Sequence, residues 1–144
     1  NHMRTSFEYD NGQALCVIEY KDHYFVGQAH CHPDDEDFMS EKTGCFIAES
    51  RAHQKYLKYV KNCEIMPKLE ALNHLKSTLA PWEGDKPDYF HRRLESEIKN
   101  LEEDLNMCKR ALANEQQYLG GYIKEKDKLY KRIRLKNGAS DNSN

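Results

Sequence analysis

The sequence predicts an α+β fold: an N-terminal three-stranded antiparallel sheet with a packed helix, followed by a long C-terminal coiled-coil helix. Three observations carry this. Residues 7–31 alternate side chains with period 2 around two turn signals, as half-buried strands do. Residues 47–63 repeat apolar side chains at helical spacing. From Leu94 to Ile133 the chain keeps a 4-3 apolar spacing, the heptad of a coiled coil.

The first strand is read around Phe7-Glu8-Tyr9, before Asp10-Asn11-Gly12. Asn-Gly is the strongest short hairpin signal, because both turn residues need positive φ. Ala14 to Tyr20 is the second strand, with Leu15 and Val17 on one face and Cys16, Ile18 and Tyr20 on the other. Lys21-Asp22-His23 makes the next turn, and Tyr24 to Cys31 the third strand. Its faces carry Phe25, Ala29 and Cys31 against Tyr24, Val26, Gln28 and His30, and Gly27 marks a bulge or a close backbone approach. His32-Pro33 ends the sheet, since proline removes a ladder donor.

Ser40 or Thr43 is the expected cap of the next helix, whose stripe is Ile47, Ala48, Ala52, Tyr56, Tyr59, Val60 and Cys63. Pro67 suits the start of a second helix, with Leu69, Leu72, Leu75 and Leu79 as its apolar line. Ala80 to Pro87 is a connection, and Asp88 caps the last helix. That helix has seam positions Leu94, Ile98, Leu101, Leu105, Cys108, Leu112, Glu115, Leu119, Tyr122, Lys126, Leu129 and Ile133. Gly120-Gly121 interrupts it as a weak point, a tight crossing or a break, at about 2 kcal/mol of helix propensity. The expected division is a tag scar at 1–3, a head at 4–63, a helix and loop at 64–87, the long helix at 88–136 and a frayed tail at 137–144. At about 1.5 Å per residue the long helix would extend about 70 Å, beyond what residues 65–80 can cover. The uncovered seam predicts a homodimer through Leu94, Ile98, Leu101, Leu105, Leu112, Leu119, Leu129 and Ile133, or a heteromeric partner there.

The 144 residues are 38% hydrophobic and 32% charged, too polar for a large globular core. No run is long and apolar enough for a membrane span and no leader opens the chain, so no membrane contact is expected. The five cysteines are irregularly spaced with no CxxC, which points to reduced thiols and a cytoplasmic setting. Charge is polarised: residues 1–50 hold three bases against ten acids, a net of −7, while the rest of the chain is mildly basic. An acidic head repels phosphate and suits a basic partner.

The candidates for chemistry are few. Asp34, Asp35, Glu36 and Asp37 form a run suited to docking on a basic surface, or simply a solvated loop. Arg51, Lys55 and Lys58 share a helix face, and Lys128, Lys131, Arg132 and Arg134 sit in a basic C-terminal stretch. Both are candidate phosphate contacts or solvated faces. His30 and His32 share a strand face and, with an acid from 34–37, would make a two-histidine, one-carboxylate metal set; exposed histidines are the plainer reading. Cys31 faces away from both, so a Cys–His pair would need His53 or His74. No phosphate loop, dinucleotide fingerprint or Ser-His-Asp pattern occurs, so neither catalysis nor a cofactor is expected.

Tyr24-Phe25-Val26-Gly27-Gln28-Ala29, Pro33-Asp34, Asp37-Phe38, Gly44, Ile47-Ala48-Glu49 and Arg51-Ala52 occur in that order. This stretch resembles a pattern in small accessory proteins of bacteriophages and mobile elements, over roughly residues 14–60. The resemblance implies a small protein working inside a bacterial host cell. It implies action by occupying a surface of host defence machinery, as anti-CRISPR proteins do. On that expectation the acidic head docks on a nucleoprotein such as a CRISPR effector. The alternatives are a nucleic-acid-binding accessory protein and a metal-dependent enzyme using His30 and His32.

Overall fold

A computed structural model describes residues 2–30, 40–80 and 89–142, with side chains as far as residue 138. The expected α+β architecture is present. Strands β1 (Arg4–Asp10), β2 (Gln13–Tyr20) and β3 (His23–His30) are followed by α1 (Glu41–Tyr59), α2 (Met66–Leu79) and α3 (Tyr89–Asn142). The chain forms two compact units: Asn1–Tyr56 with Asn114–Asn144, and Leu57–Ala113. This differs from a head ending at residue 63, because the second half of α3 belongs with the sheet.

In the first unit the sheet is an antiparallel meander in the order β1-β2-β3. Asn11 and Gly12 have φ of 50° and 78°, the left-handed pair that lets two residues reverse a twisted hairpin. Asp10 and Gln13 close that hairpin, which aligns Phe7 with Cys16 and Thr5 with Ile18. On β2, Ala14, Cys16, Ile18 and Tyr20 are buried while Leu15, Val17 and Glu19 are half-buried, so the alternation read from sequence holds. The buried row meets Ala29 of β3 and Ala48 and Ala52 of α1 in one cluster. Small side chains set the spacing here. A Cβ on Gly27 would lie 1.9 Å from the Ala48 carbonyl oxygen and 2.5 Å from the Ala52 amide, so Gly27 is a close backbone approach.

Ser40 caps α1. Its Oγ accepts the Thr43 amide at 3.1 Å, satisfying a donor that the first turn leaves open. Tyr56 then packs edge-on against Tyr20 and Phe25, with ring centroids 5.1 and 5.9 Å away. Burial, with Glu49 and Cys45 nearby, pushes the Cys16 thiol up to about 11, so it stays neutral and packs as a small apolar group. Cys16, Cys45, Cys63 and Cys108 are all free thiols.

Within the second unit, the end of α1 and α2 run beside the first half of α3. The Cys108 thiol donates to the Leu57 carbonyl at 3.4 Å, and Lys76 lies 4.0 Å from Glu95. Ile65, Leu94, Ile98, Cys108 and Leu112 are buried. The expected second helix does start at Met66 with Pro67 in its first turn, but no break precedes it. A π-helical turn, Val60–Ile65, joins α1 to α2. The apolar line explains it: Ala48, Ala52, Tyr56 and Val60 are four apart, and Ile65 comes five later. An i→i+5 turn absorbs the extra residue. It also falls where Pro67 lacks an amide and crowds the carbonyl four residues back.

One expectation for α3 is corrected, and one left open is decided. It does not stop at Lys136 but runs to Asn142, because extending an established helix adds one hydrogen bond per residue without a new nucleus. Gly120-Gly121 is neither a break nor a tight crossing: both are helical, and nothing lies within 4 Å of either added Cβ. They are points of low propensity in open space. Replacing both with alanine is expected to stabilise the protein by about 1–2 kcal/mol, read as a higher urea midpoint with an unchanged slope. A lower midpoint would show that the glycines serve a contact.

The bare seam is the largest correction. In the second unit Leu94, Ile98 and Leu112 are buried and Leu101 and Leu105 half-buried; in the first, Leu119 is buried and Ile133 half-buried. Of the eight expected dimerisation residues only Leu129 is exposed. The chain covers its own heptad, so the reason for expecting a dimer along this helix falls away.

Candidate protein-binding surface

The outer face of the sheet is the face turned away from Ala48 and Ala52. Register fixes what stands together on it. Asp10 aligns with Gln13, which aligns with His30; Glu8 aligns with Leu15, which aligns with Gln28. These two cross-strand rows line an open cleft of about 270 Å³. Half-buried Leu15, with Ala14 beside it, is the apolar part of the lining, Glu8 and Asp10 stand at the β1 side, and Gln28 and His30 at the β3 side. His30 Nε2 lies 3.4 Å from Gln28 Oε1. A lining of two carboxylates, two amides and an imidazole around one leucine suits a lysine or arginine side chain. Its ammonium or guanidinium would meet the acids while its stem covers the leucine.

The basic face of α1 has another use. Arg51 donates to the Gln28 carbonyl at 2.7 Å and Lys55 to the Val26 carbonyl at 2.6 Å. In a sheet ordered β1-β2-β3 these are the outward carbonyls of the β3 edge. Arg51 and Lys55 therefore blunt an edge strand, a correction to their reading as phosphate contacts. Lys58 is exposed. In the C-terminal stretch Lys128 pairs with Glu125 at 3.8 Å, Lys131 and Arg132 are exposed, and Arg134 is half-buried.

The other candidates separate. Asp34, Asp35, Glu36, Asp37, Cys31 and His32 lie outside the described residues. His30 faces the cleft. Among the described residues no group of three or more His, Cys, Asp or Glu side chains is placed to hold a metal ion. His53 engages Glu115 at 2.5 Å and stacks on Tyr56. Glu115, a polar seam position, thus finds its partner within its own unit. An aromatic group escaped the sequence reading: Phe46 packs 4.5 Å from Tyr122 and 6.0 Å from Tyr118, and Lys126 lies over the Tyr122 ring. Its one sequence signal was Tyr122 at a seam position.

No helix among the described residues is long and apolar enough to cross a membrane. Comparison with protein-family models, curated proteins and solved structures gives no match.

Proposed function

We propose that this chain is a non-catalytic protein-binding module whose acidic head engages a basic protein surface. The observation that carries it is the outer sheet face, where Glu8 and Asp10 line a cleft while Arg51 and Lys55 are occupied by β3 carbonyls. Glu8 and Asp10 therefore present their charge on the outer face of the sheet. Asp34, Asp35, Glu36 and Asp37 add to the same charge. The finer form of the proposal comes from the phage-type resemblance: an inhibitor of a host defence nucleoprotein, bound on its nucleic-acid channel.

The test is a pull-down from bacterial lysate, with and without nuclease, using wild type and the Glu8→Lys/Asp10→Lys variant. A stoichiometric protein is expected that survives nuclease and is lost with the variant. Recovery that vanishes with nuclease and falls steeply with salt would overturn the proposal. It would move the function to nucleic-acid binding by Lys58, Lys131 and Arg132.

A further inference from the structure

The sheet has two faces, and α1 covers one. On the inner face Cys16 and Ile18 are buried in a cluster with Ala48 and Ala52 of α1. The second half of α3 meets α1, through Glu115 on His53 and Tyr122 on Phe46. On the outer face, among the described residues, no position is buried. Its rows follow from register. Past the cleft pair of Leu15 and Gln28 comes Val17 beside Val26, then Glu19 beside Tyr24. Val17 and Val26 are half-buried, and Tyr24 is 63% exposed. An apolar path therefore leaves the acidic cleft at Leu15 and crosses the open face through the two valines to Tyr24. Contiguous apolar side chains with a polar rim mark a contact surface.

We propose that this face takes one amphipathic helix of the basic partner, its lysine or arginine in the cleft and its apolar stripe along Leu15, Val17, Val26 and Tyr24. The inference rests on the acidic-cleft reading above and names the shape of what binds there. Width selects a helix. Three strands about 4.8 Å apart make a face about 10 Å across, the diameter of one helix with its side chains. The inner face has the same width, and α1 packs on it. Length agrees. The row of Asp10, Gln13 and His30 lies six residues of strand from the row of Tyr24, about 20 Å. At about 1.5 Å per residue, a helix of about thirteen residues spans it. A basic residue at i then has apolar followers at i+4, i+7 and i+11 above the path, the spacing of a helical stripe. Charge selects the kind of partner, because Glu8 and Asp10 repel phosphate and attract a cation. Arg51 and Lys55 cap the β3 edge, which turns a partner from that edge to the face.

The probes are two synthetic peptides of identical composition. One carries an arginine at i and leucines at i+4, i+7 and i+11 on an alanine and glutamine background. The other sets the same leucines at alternate positions, as a strand would. Amide shifts of the isotope-labelled full chain are followed by NMR as each is added. The helical peptide is expected to move Glu8, Leu15, Val17 and Val26, and to bind at least about tenfold more tightly than the alternating one. Val17→Thr with Val26→Thr keeps strand propensity and shape while removing apolar surface, and is expected to weaken the helical peptide by at least about tenfold. Circular dichroism checks that each variant is folded. If the threonine pair loosens the sheet, Tyr24→Ser, at an exposed position, tests the far end of the path. Glu8→Lys with Asp10→Lys separates the two readings. Helical-peptide binding that this pair leaves unchanged means that the acidic cleft is not the site, and both readings fall. Binding that needs the cleft but ignores Val17, Val26 and Tyr24, or that is equal for the two peptides, leaves the cleft standing and overturns the helix. Shifts confined to other surfaces, or no binding by either peptide, overturn it too.

Discussion

Gly27→Ala is expected to cost about 3 kcal/mol or more, enough to unfold much of a marginally stable head. The added methyl would sit 1.9 Å from the Ala48 carbonyl oxygen, and the neighbouring atoms are backbone. No rotamer relieves the overlap. Strand and helix must part, which uncovers Ala14, Cys16, Ile18, Ala29, Ala48 and Ala52 together. Urea denaturation followed by circular dichroism measures the loss. The same substitution at Gly120 and Gly121 carries the opposite sign, so one side-chain change reads two environments. A Gly27→Ala midpoint equal to wild type would mean that β3 and α1 do not touch as described.

The second large effect is expected at Leu112. Leu112→Ala removes a side chain 7% exposed, at a cost of about 3 kcal/mol. Leu129 is 39% exposed, and Leu129→Ala is expected to cost less than about 1 kcal/mol. Both losses should be the same at every protein concentration, because the seam is covered by its own chain. A Leu112→Ala penalty that shrinks on dilution would restore the intermolecular coiled coil that the heptad first suggested.

How much was legible follows how local each interaction is. The first hairpin was legible because Asn11-Gly12 carries its own φ requirement. Alternation on β2 was legible because a one-residue slip would put Cys16 and Ile18 in water. Gly27 was legible as a bulge or a close approach, and the structure decides for the second by showing what approaches it. The heptad announced a partner without saying whose, since Leu94 or Leu112 packs as well on a neighbouring segment as on another chain. At the π turn the five-residue step from Val60 to Ile65 was present in the sequence, but Pro67 suggested a helix end there. Arg51 and Lys55 misled for a different reason. Their acceptors lie 23 and 29 residues upstream, and a basic helix face looks the same whether it meets water, phosphate or a strand edge. The acidic cleft is also non-local: Glu8, Asp10 and His30 become neighbours only through register across three strands.

The arginine and lysine on the β3 edge also set a limit on growth. A sheet open on both sides can add strands without end, which is how soluble domains become fibrils. Here the β3 side is stoppered by two long cations from the helix behind it, so no strand can be added there without displacing them. The residues that looked like a grip for nucleic acid are, on this view, what keeps an edge-exposed sheet from polymerising.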